Sequence, residues 1–435
     1  MPEEQKPQEG RFSPGYSRYV LGVLFVVYVF NFVDRQILSI LIDPIKEELG
    51  ASDTQMGFLT GFAFAIFYTG FGIPIARWAD RGVRRSIIAL GLTVWSVMTA
   101  LCGLAQSFLH LALARIGVGI GEAAGSPPAH SLISDYFPPE RRAAALSVYS
   151  IGIPVGVALG YLAGGWMVEF FNWRAAFFVV GIPGVLLAVI MRLTVREPPR
   201  GMSEVAGADT ESYSLGEVVR FLRSLRSFML LAIASGIASL TAYGFGAWVP
   251  PFLGRVHGMG SGEIGTWMGI ETGVGGALGM VITGLVADRL AKRDPRWYVW
   301  IGALTIAVYF PFMLAFLLLD QAIPAILSYF VVLALGAVYL GPAIAMTHAL
   351  VTVRMRALAS SVFLFVLNLI GMGLGPQMVG YLNDKLAPMY GVEAIRYSLL
   401  WVGMAKLLAL VLFMLAAKYV KEDLKAKVRL ATATA

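Results

Sequence analysis

A chain of 435 residues that is 57% hydrophobic and 14% charged lies far from soluble domains, where roughly 45–50% and 25% are usual. Apolar residues run along its whole length and leave no stretch for a soluble domain. The net charge of +7 sits in short loops between apolar runs, which points to membrane topology rather than to nucleic acid. The single cysteine, Cys102, excludes an internal disulfide. Four scattered histidines indicate no metal site. No G-x-x-x-x-G-K-[ST] run is present, so ATP-driven transport is unsupported and no cofactor is expected.

Crossing the hydrocarbon core takes about 20 mostly apolar residues. The polar, Pro-containing segment 1–18 is expected to be a cytoplasmic N-terminal segment. The apolar stretch after it is too long for a signal-peptide core and lacks an A-x-A-like cleavage site, so it reads as the first span. Twelve spans are predicted in chain order, at roughly 19–41, 54–76, 86–106, 109–131, 143–166, 174–193, 227–250, 263–286, 298–319, 322–348, 358–381 and 395–418. They form a first six-span half at 19–193 and a second at 227–418, followed by a cytoplasmic tail at 419–435. No soluble domain is expected before or after the spans.

The linker at 194–226 breaks the apolar rhythm with Pro198, Pro199 and Gly201. Val218, Leu222 and Leu225 then alternate with Arg220, Arg223 and Arg226, the pattern of a basic amphipathic helix on the cytoplasmic membrane surface. A regulatory docking site is the alternative. Lys and Arg concentrate in the terminal segments and the even-numbered loops, for example Arg77, Arg141, Arg142, Arg296, Arg354 and Arg356, so both termini are expected in the cytoplasm.

Asp34, Arg115 and Glu122 lie inside predicted spans. A charge at the centre of a bilayer helix costs about 2.5–3.5 kcal/mol even on the lenient insertion scale, so such residues face a watery cavity or one another. Arg115 and Glu122 are seven residues apart, about two turns, on one side of the fourth span. At about 1.5 Å per residue, Asp34 and Arg115 reach a similar level in the outer half, with Glu122 deeper. Two readings stand: a static ion pair between Asp34 and Arg115 that fixes packing, or a proton or substrate site in which one carboxylate lacks a permanent partner. Arg35 either joins the network or snorkels. In the second half Glu271, Lys406 and Asn368 are candidate headgroup contacts, and His348 lies near the cytoplasmic end.

Ala79-Asp80-Arg81 with Arg84-Arg85 after the second span recurs as Ala287-Asp288-Arg289 with Lys292-Arg293 after the eighth. The offset is 288 − 80 = 208, and two similar halves are a recognised transporter plan. The run from Ala76 through Asp80, Arg81, Arg84 and Arg85 resembles the loop 2–3 signature of the major facilitator superfamily, G-x-L-A-D-R-x-G-R-R, with Ala76, Trp78 and Val83 departing from it. Arg115-x-x-x-Gly119-x-Gly121 resembles that superfamily's fourth-span motif. Gly152-Ile-Pro154-Val-Gly156 with Gly160, Gly164 and Gly165 resembles the fifth-span Gly/Pro motif of antiporters, and Gly375-Pro376 stands in the eleventh span.

The resemblance implies an all-α membrane protein of two pseudo-symmetric six-helix halves. It also implies a conformational latch, in which Asp80 faces a helix N-terminus of the other half, an arginine pairs with Asp135, and Asp288 and Arg289 supply the second copy. Topology alone would need the arginines but not Asp80. Asn31-Phe-Val-Asp34-Arg35, Arg115 through Glu122, Ser134-Asp135-Tyr-Phe-Pro and Ile153 through Tyr161 look like the Spinster branch, whose members move lysolipids and sphingoid phosphates. The expectation is a monomeric, proton-coupled transporter of the bacterial inner membrane for a small amphipathic anion. Asp34 and Glu122 would be its proton sites, Arg115 the switching partner, and Arg115, Arg35, Asn31, Glu271, Asn368 and Lys406 the substrate contacts. The alternative is a proton-coupled organic-anion or drug transporter on the same scaffold. No nucleophile–base pair suggests an enzyme.

Overall fold

The computed structural model describes residues 12–200, 202, 213–352 and 355–433. The chain's first eleven residues, linker positions 201 and 203–212, Val353, Arg354 and the last two residues lie outside it. Among the described residues every regular element is helical. The first half comprises Pro14–Ile40, Asp53–Arg81, Arg84–Cys102, Phe108–Tyr136, Pro139–Phe170 and Trp173–Thr194. The second begins with Arg226–His257 and a span at 261–291, then Trp297–Leu318 and Ala322–Leu350. It ends with a span at 356–390 and the long helix Ala394–Ala433. The outward faces carry exposed Leu109, Leu186, Leu285, Leu327 and Trp401, as lipid-facing surfaces should.

Local chemistry sets the helix starts. Ser13 accepts from the Tyr16 N–H at 3.3 Å ahead of Pro14. Ser52 and Gln55 form a reciprocal capping box at the second span, and Asn172 caps the sixth. Each satisfies N–H groups that would otherwise lack partners. The seventh span runs past its expected end at 250, because a helix can carry Pro250 and Pro251 if the freed carbonyls find donors. The Gly246 carbonyl, four residues before Pro250, accepts from Tyr161 Oη at 2.9 Å and Gln36 Nε2 at 3.3 Å, both from the first half. The prolines thereby supply a contact between halves.

The segment Leu215–Ser224 is a helix whose Ser214–Glu217 capping box sets its start. Val218 and Leu222 are buried against Phe228, Met346 and Phe363, so its apolar side lies on the protein rather than on a membrane surface.

Helix crossings depend on small residues. Gly156 of the fifth span lies on the Val29 carbonyl and Phe32 of the first. A Cβ on Gly265 of the eighth span would sit 2.5 Å from the Tyr161 carbonyl of the fifth, so only glycine permits that approach. Gly375 meets the Leu240 carbonyl of the seventh span in the same way.

The buried core divides along the molecule. At the end away from the chain termini, one continuous cluster joins both halves, from Ile37, Leu41 and Phe177 to Trp248, Phe252 and Phe316. Toward the termini two large clusters separate. One lies within the second half, and the other lies within the first, joined by Met372 of the eleventh span. The halves are welded at the far end and parted at the termini end.

Candidate functional site

Between the halves lies a cavity of about 350 Å³. Several spans lose regular geometry near it: a break at Gly61 in the second, turns at Ala123–Gly125 in the fourth and Ala337–Tyr339 in the tenth, and six-residue π segments at Glu271–Gly276 and Leu369–Leu374. Irregular backbone at membrane depth is tolerated where it borders a cavity or lies within protein.

The first half lines this cavity with Phe32, Arg35, Gln36 and Arg115, the second with Tyr243, Tyr309, Tyr329 and Lys406. Of the expected substrate contacts, Arg35, Arg115 and Lys406 are in the wall; Asn31, Glu271 and Asn368 are not. Their neighbours Leu367 and Thr272 line it instead, because the helix turn at those positions presents the adjacent residue. The ionisable groups of the wall other than tyrosines are therefore all cations.

The carboxylates sit behind them. Glu122 is buried and pairs with Arg35 at 2.5 Å between Oε2 and Nε, so the residue left between two readings belongs to the network. Arg35 also lies over the rings of Phe32, Phe64 and Tyr68 at 5.0, 4.9 and 4.5 Å. Asp34 does not pair its carboxylate with Arg115 as its level suggested. The Thr99 hydroxyl donates to Asp34 Oδ1 at 2.5 Å, and Arg115 Nη1 donates to the Asp34 backbone carbonyl at 3.3 Å. Levels along a helix fix depth but not which face meets which, and this is the reason for the difference.

Three polar atoms of this cluster are buried without a hydrogen-bond partner: Asn31 Oδ1, Glu122 Oε1 and Arg115 Nε. Buried orphans are rare in finished structures because each carries a desolvation penalty of about 1–3 kcal/mol. Lys406 is equally unusual. Its Nζ lies 3.6 Å from the Tyr309 ring centroid and reaches the Gly336 carbonyl only at 3.5 Å.

At the termini end, Arg84 is the residue that meets Asp135, at 2.5 Å. It also pairs with Glu197 at 2.7 Å, whose other oxygen accepts from the Arg85 N–H at 2.9 Å. Arg81 and Arg289 are exposed, and Asp288 accepts from Tyr298 Oη at 3.1 Å. Asp80 is exposed and bonds no described residue; it does not face a helix N-terminus of the other half in this conformation, since the halves are apart there.

A second cluster, at the far end, escaped the sequence reading. Arg255, in the last turn of the seventh span, forks onto Asp43 at 2.5 Å and Asp53 at 2.5 Å. Lys46 and Asn383 also bond Asp53, at 2.6 and 3.0 Å. Asp384 accepts from the Asp53 and Thr54 N–H groups at 3.1 and 2.8 Å, capping the second span from the opposite half. Charges at span ends are common, so nothing in the sequence singled these residues out.

The sequence model described as Major Facilitator Superfamily matches residues 24–376. An MFS-type efflux pump of Mycolicibacterium smegmatis is 38% identical over 95% of this chain and 96% of its own. Protein spinster homolog 3 of Danio rerio is 28% identical over 97% and 89%. A crystal structure of a bacterial homolog of the human lysosomal transporter Spinster, inward-facing and unoccupied, superposes with a TM-score of 0.86 at 32% identity, covering 95% of this chain and 99% of that one. A match over most of the spans, together with two full-length likenesses above 30%, places this chain in the Major Facilitator Superfamily, as a multi-pass membrane transporter with Spinster-like relatives and not an enzyme.

Proposed function

We propose that the protein is a proton-coupled secondary transporter that carries an amphipathic anionic lipid, such as a lysolipid or sphingoid phosphate, by alternating access across a bacterial inner membrane. The observation that carries this reading is the division of charge at the cavity: Arg35, Arg115 and Lys406 face the space, while Asp34 and Glu122 stand behind. An anion entering it meets only cations, and a proton entering it finds a carboxylate in competition with a guanidinium.

The chemistry follows from the Glu122–Arg35 pair. With Glu122 ionised, Arg35 is held back by it. A proton on Glu122 releases Arg35 toward the cavity, where it and the underused donors of Arg115 bind the anionic headgroup. Loss of the proton restores the pair and expels the anion. The aromatic and aliphatic wall of the second half supplies a sleeve for a tail. Arginine-rich loops next to Asp80, Arg81, Arg84 and Arg85 support a cytoplasmic position for the termini, and the parted ends then correspond to a state open to the cytoplasm. The protein is read as a monomer, with the protons, the substrate and the bilayer as its partners.

Alkyl phosphates of increasing length test the substrate class. Each buried CH₂ contributes about 0.8 kcal/mol, so affinity should climb about fourfold per methylene. Affinity that is flat with length, or greatest for very short acids, supports the second reading, a proton-coupled organic-anion or drug transporter. The likeness to an efflux pump at 38% identity favours that second reading.

A further inference from the structure

Glu271 is buried in the eighth span, and its Oε1 has no hydrogen-bond partner. Among the described residues no Lys, Arg or His stands within ion-pair distance of it. The tyrosines Tyr161 of the fifth span and Tyr329 of the tenth line the adjoining cavity wall and bring no cation to it. A buried carboxylate without a counter-charge carries a penalty of several kcal/mol, so a cation must neutralise it. Glu271 also opens the π segment Glu271–Gly276, a geometry that recurs at functional sites. The next residue, Thr272, has an orphaned buried hydroxyl and lines the cavity.

We propose that Glu271 is a second proton-carrying site, lodged in the C-terminal half, which exchanges its proton with the cavity past Thr272. The two orphaned side-chain oxygens of this turn are too few to replace the six or so oxygens around a hydrated metal cation, so the neutralising cation is a proton. The two halves would then each hold a proton site, at Glu122 and Asp34 in one and at Glu271 in the other. Binding H⁺ turns the carboxylate into a neutral acid, and release to water in the cavity regenerates it. No other bond changes. The inference rests on the proton-coupled reading above.

Infrared difference spectroscopy of the purified full chain during a pH titration tests it. In an Asp34→Asn/Glu122→Gln background a protonated-carboxyl band should persist and titrate. Adding Glu271→Gln should remove it, and Glu271→Asp should move it without removing it, which guards against misfolding. A band that survives Glu271→Gln, or no titrating band in the background variant, overturns the proposal. A band that shifts on exchanging choline for sodium also overturns it, in favour of a metal cation. Proton-to-substrate ratios separate this idea from its premise. Glu271→Gln should lower the ratio of an otherwise pH-driven carrier; an unchanged ratio sinks the second site alone, whereas a wild-type protein indifferent to a pH gradient sinks the proton-coupled reading.

Discussion

Two of the molecule's clusters of opposite charges differ in how completely their charged groups are satisfied. At the far end, Arg255 forks onto Asp43 and Asp53 while Lys46, Asn383 Nδ2 and the Asp384 cap take up the remaining valences of the charged groups, and only the Asn383 amide oxygen is left without a partner. In the centre, Arg35 and Glu122 pair, yet Glu122 Oε1, Arg115 Nε and Asn31 Oδ1 have no partner. The two arginines are similarly exposed, Arg255 at 19% and Arg35 at 18%, but the far cluster reaches water through Asp43 at 32%, whereas the Glu122 side chain is at 0%. Charge near water is readily completed into a lock. Charge deep in the protein and left incomplete keeps valences for a proton or a ligand. On the proposed function, the far cluster holds and the central one exchanges.

The largest effect should come from removing exchange. Glu122→Gln and Asp34→Asn keep shape but cannot carry a proton, so each should abolish pH-dependent substrate flux in proteoliposomes while yield and helix content stay at wild-type levels. Flux that keeps its normal pH response in either variant would make the central cluster another lock.

Arg255→Ala attacks the lock. Hydrogen bonds to charged groups contribute about 1.5–3 kcal/mol each, so its loss should raise the far-open population by about ten- to a hundredfold. Spin-label distances across the far ends should lengthen, and Arg255→Lys, with no fork, should recover only part of the closure. Unchanged distances would leave the apolar cluster around Trp248 and Phe252 as the closing element.

Arg115→Ala sharpens the central assignment. It removes a headgroup donor and touches no tail, so affinity for every alkyl phosphate should fall by a similar factor, about tenfold, with the dependence on chain length intact. A changed slope would place Arg115 beside the tail instead.

The central cluster was legible because Asp34, Arg115 and Glu122 interrupt apolar runs, where charge is expensive and therefore informative. Its pairing was not legible: periodicity places Arg115 and Glu122 on one face but does not say that Arg35 reaches Glu122 or that Thr99 serves Asp34. Asp43, Asp53 and Arg255 gave no signal, since charges at span ends are cheap and common. The repeat at Asp80 and Asp288 disclosed the two-half plan. The breaks at Gly61 and at the two π segments arise from packing between spans far apart in sequence, which no local pattern encodes.

The smallest effect is expected at Asp80, and it separates a latch from a topological signal. In the present conformation Asp80 is exposed, so Asp80→Ala removes nothing from this state. As the proposed latch it would act only on the alternate state, in which the approach of the halves would bring the carboxylate to a helix N-terminus. An anion there contributes about 0.3–1 kcal/mol, so the substitution should favour the termini-open state by about two- to fivefold. Spin labels across the termini ends should then show a larger long-distance component, while far-end distances in the open state stay fixed. The arginine topology is untouched, so insertion and orientation should not change. Identical distance distributions would reduce Asp80 to a neighbour of arginines that matter for topology alone, and the far-end lock would then be the element that sets the balance between states.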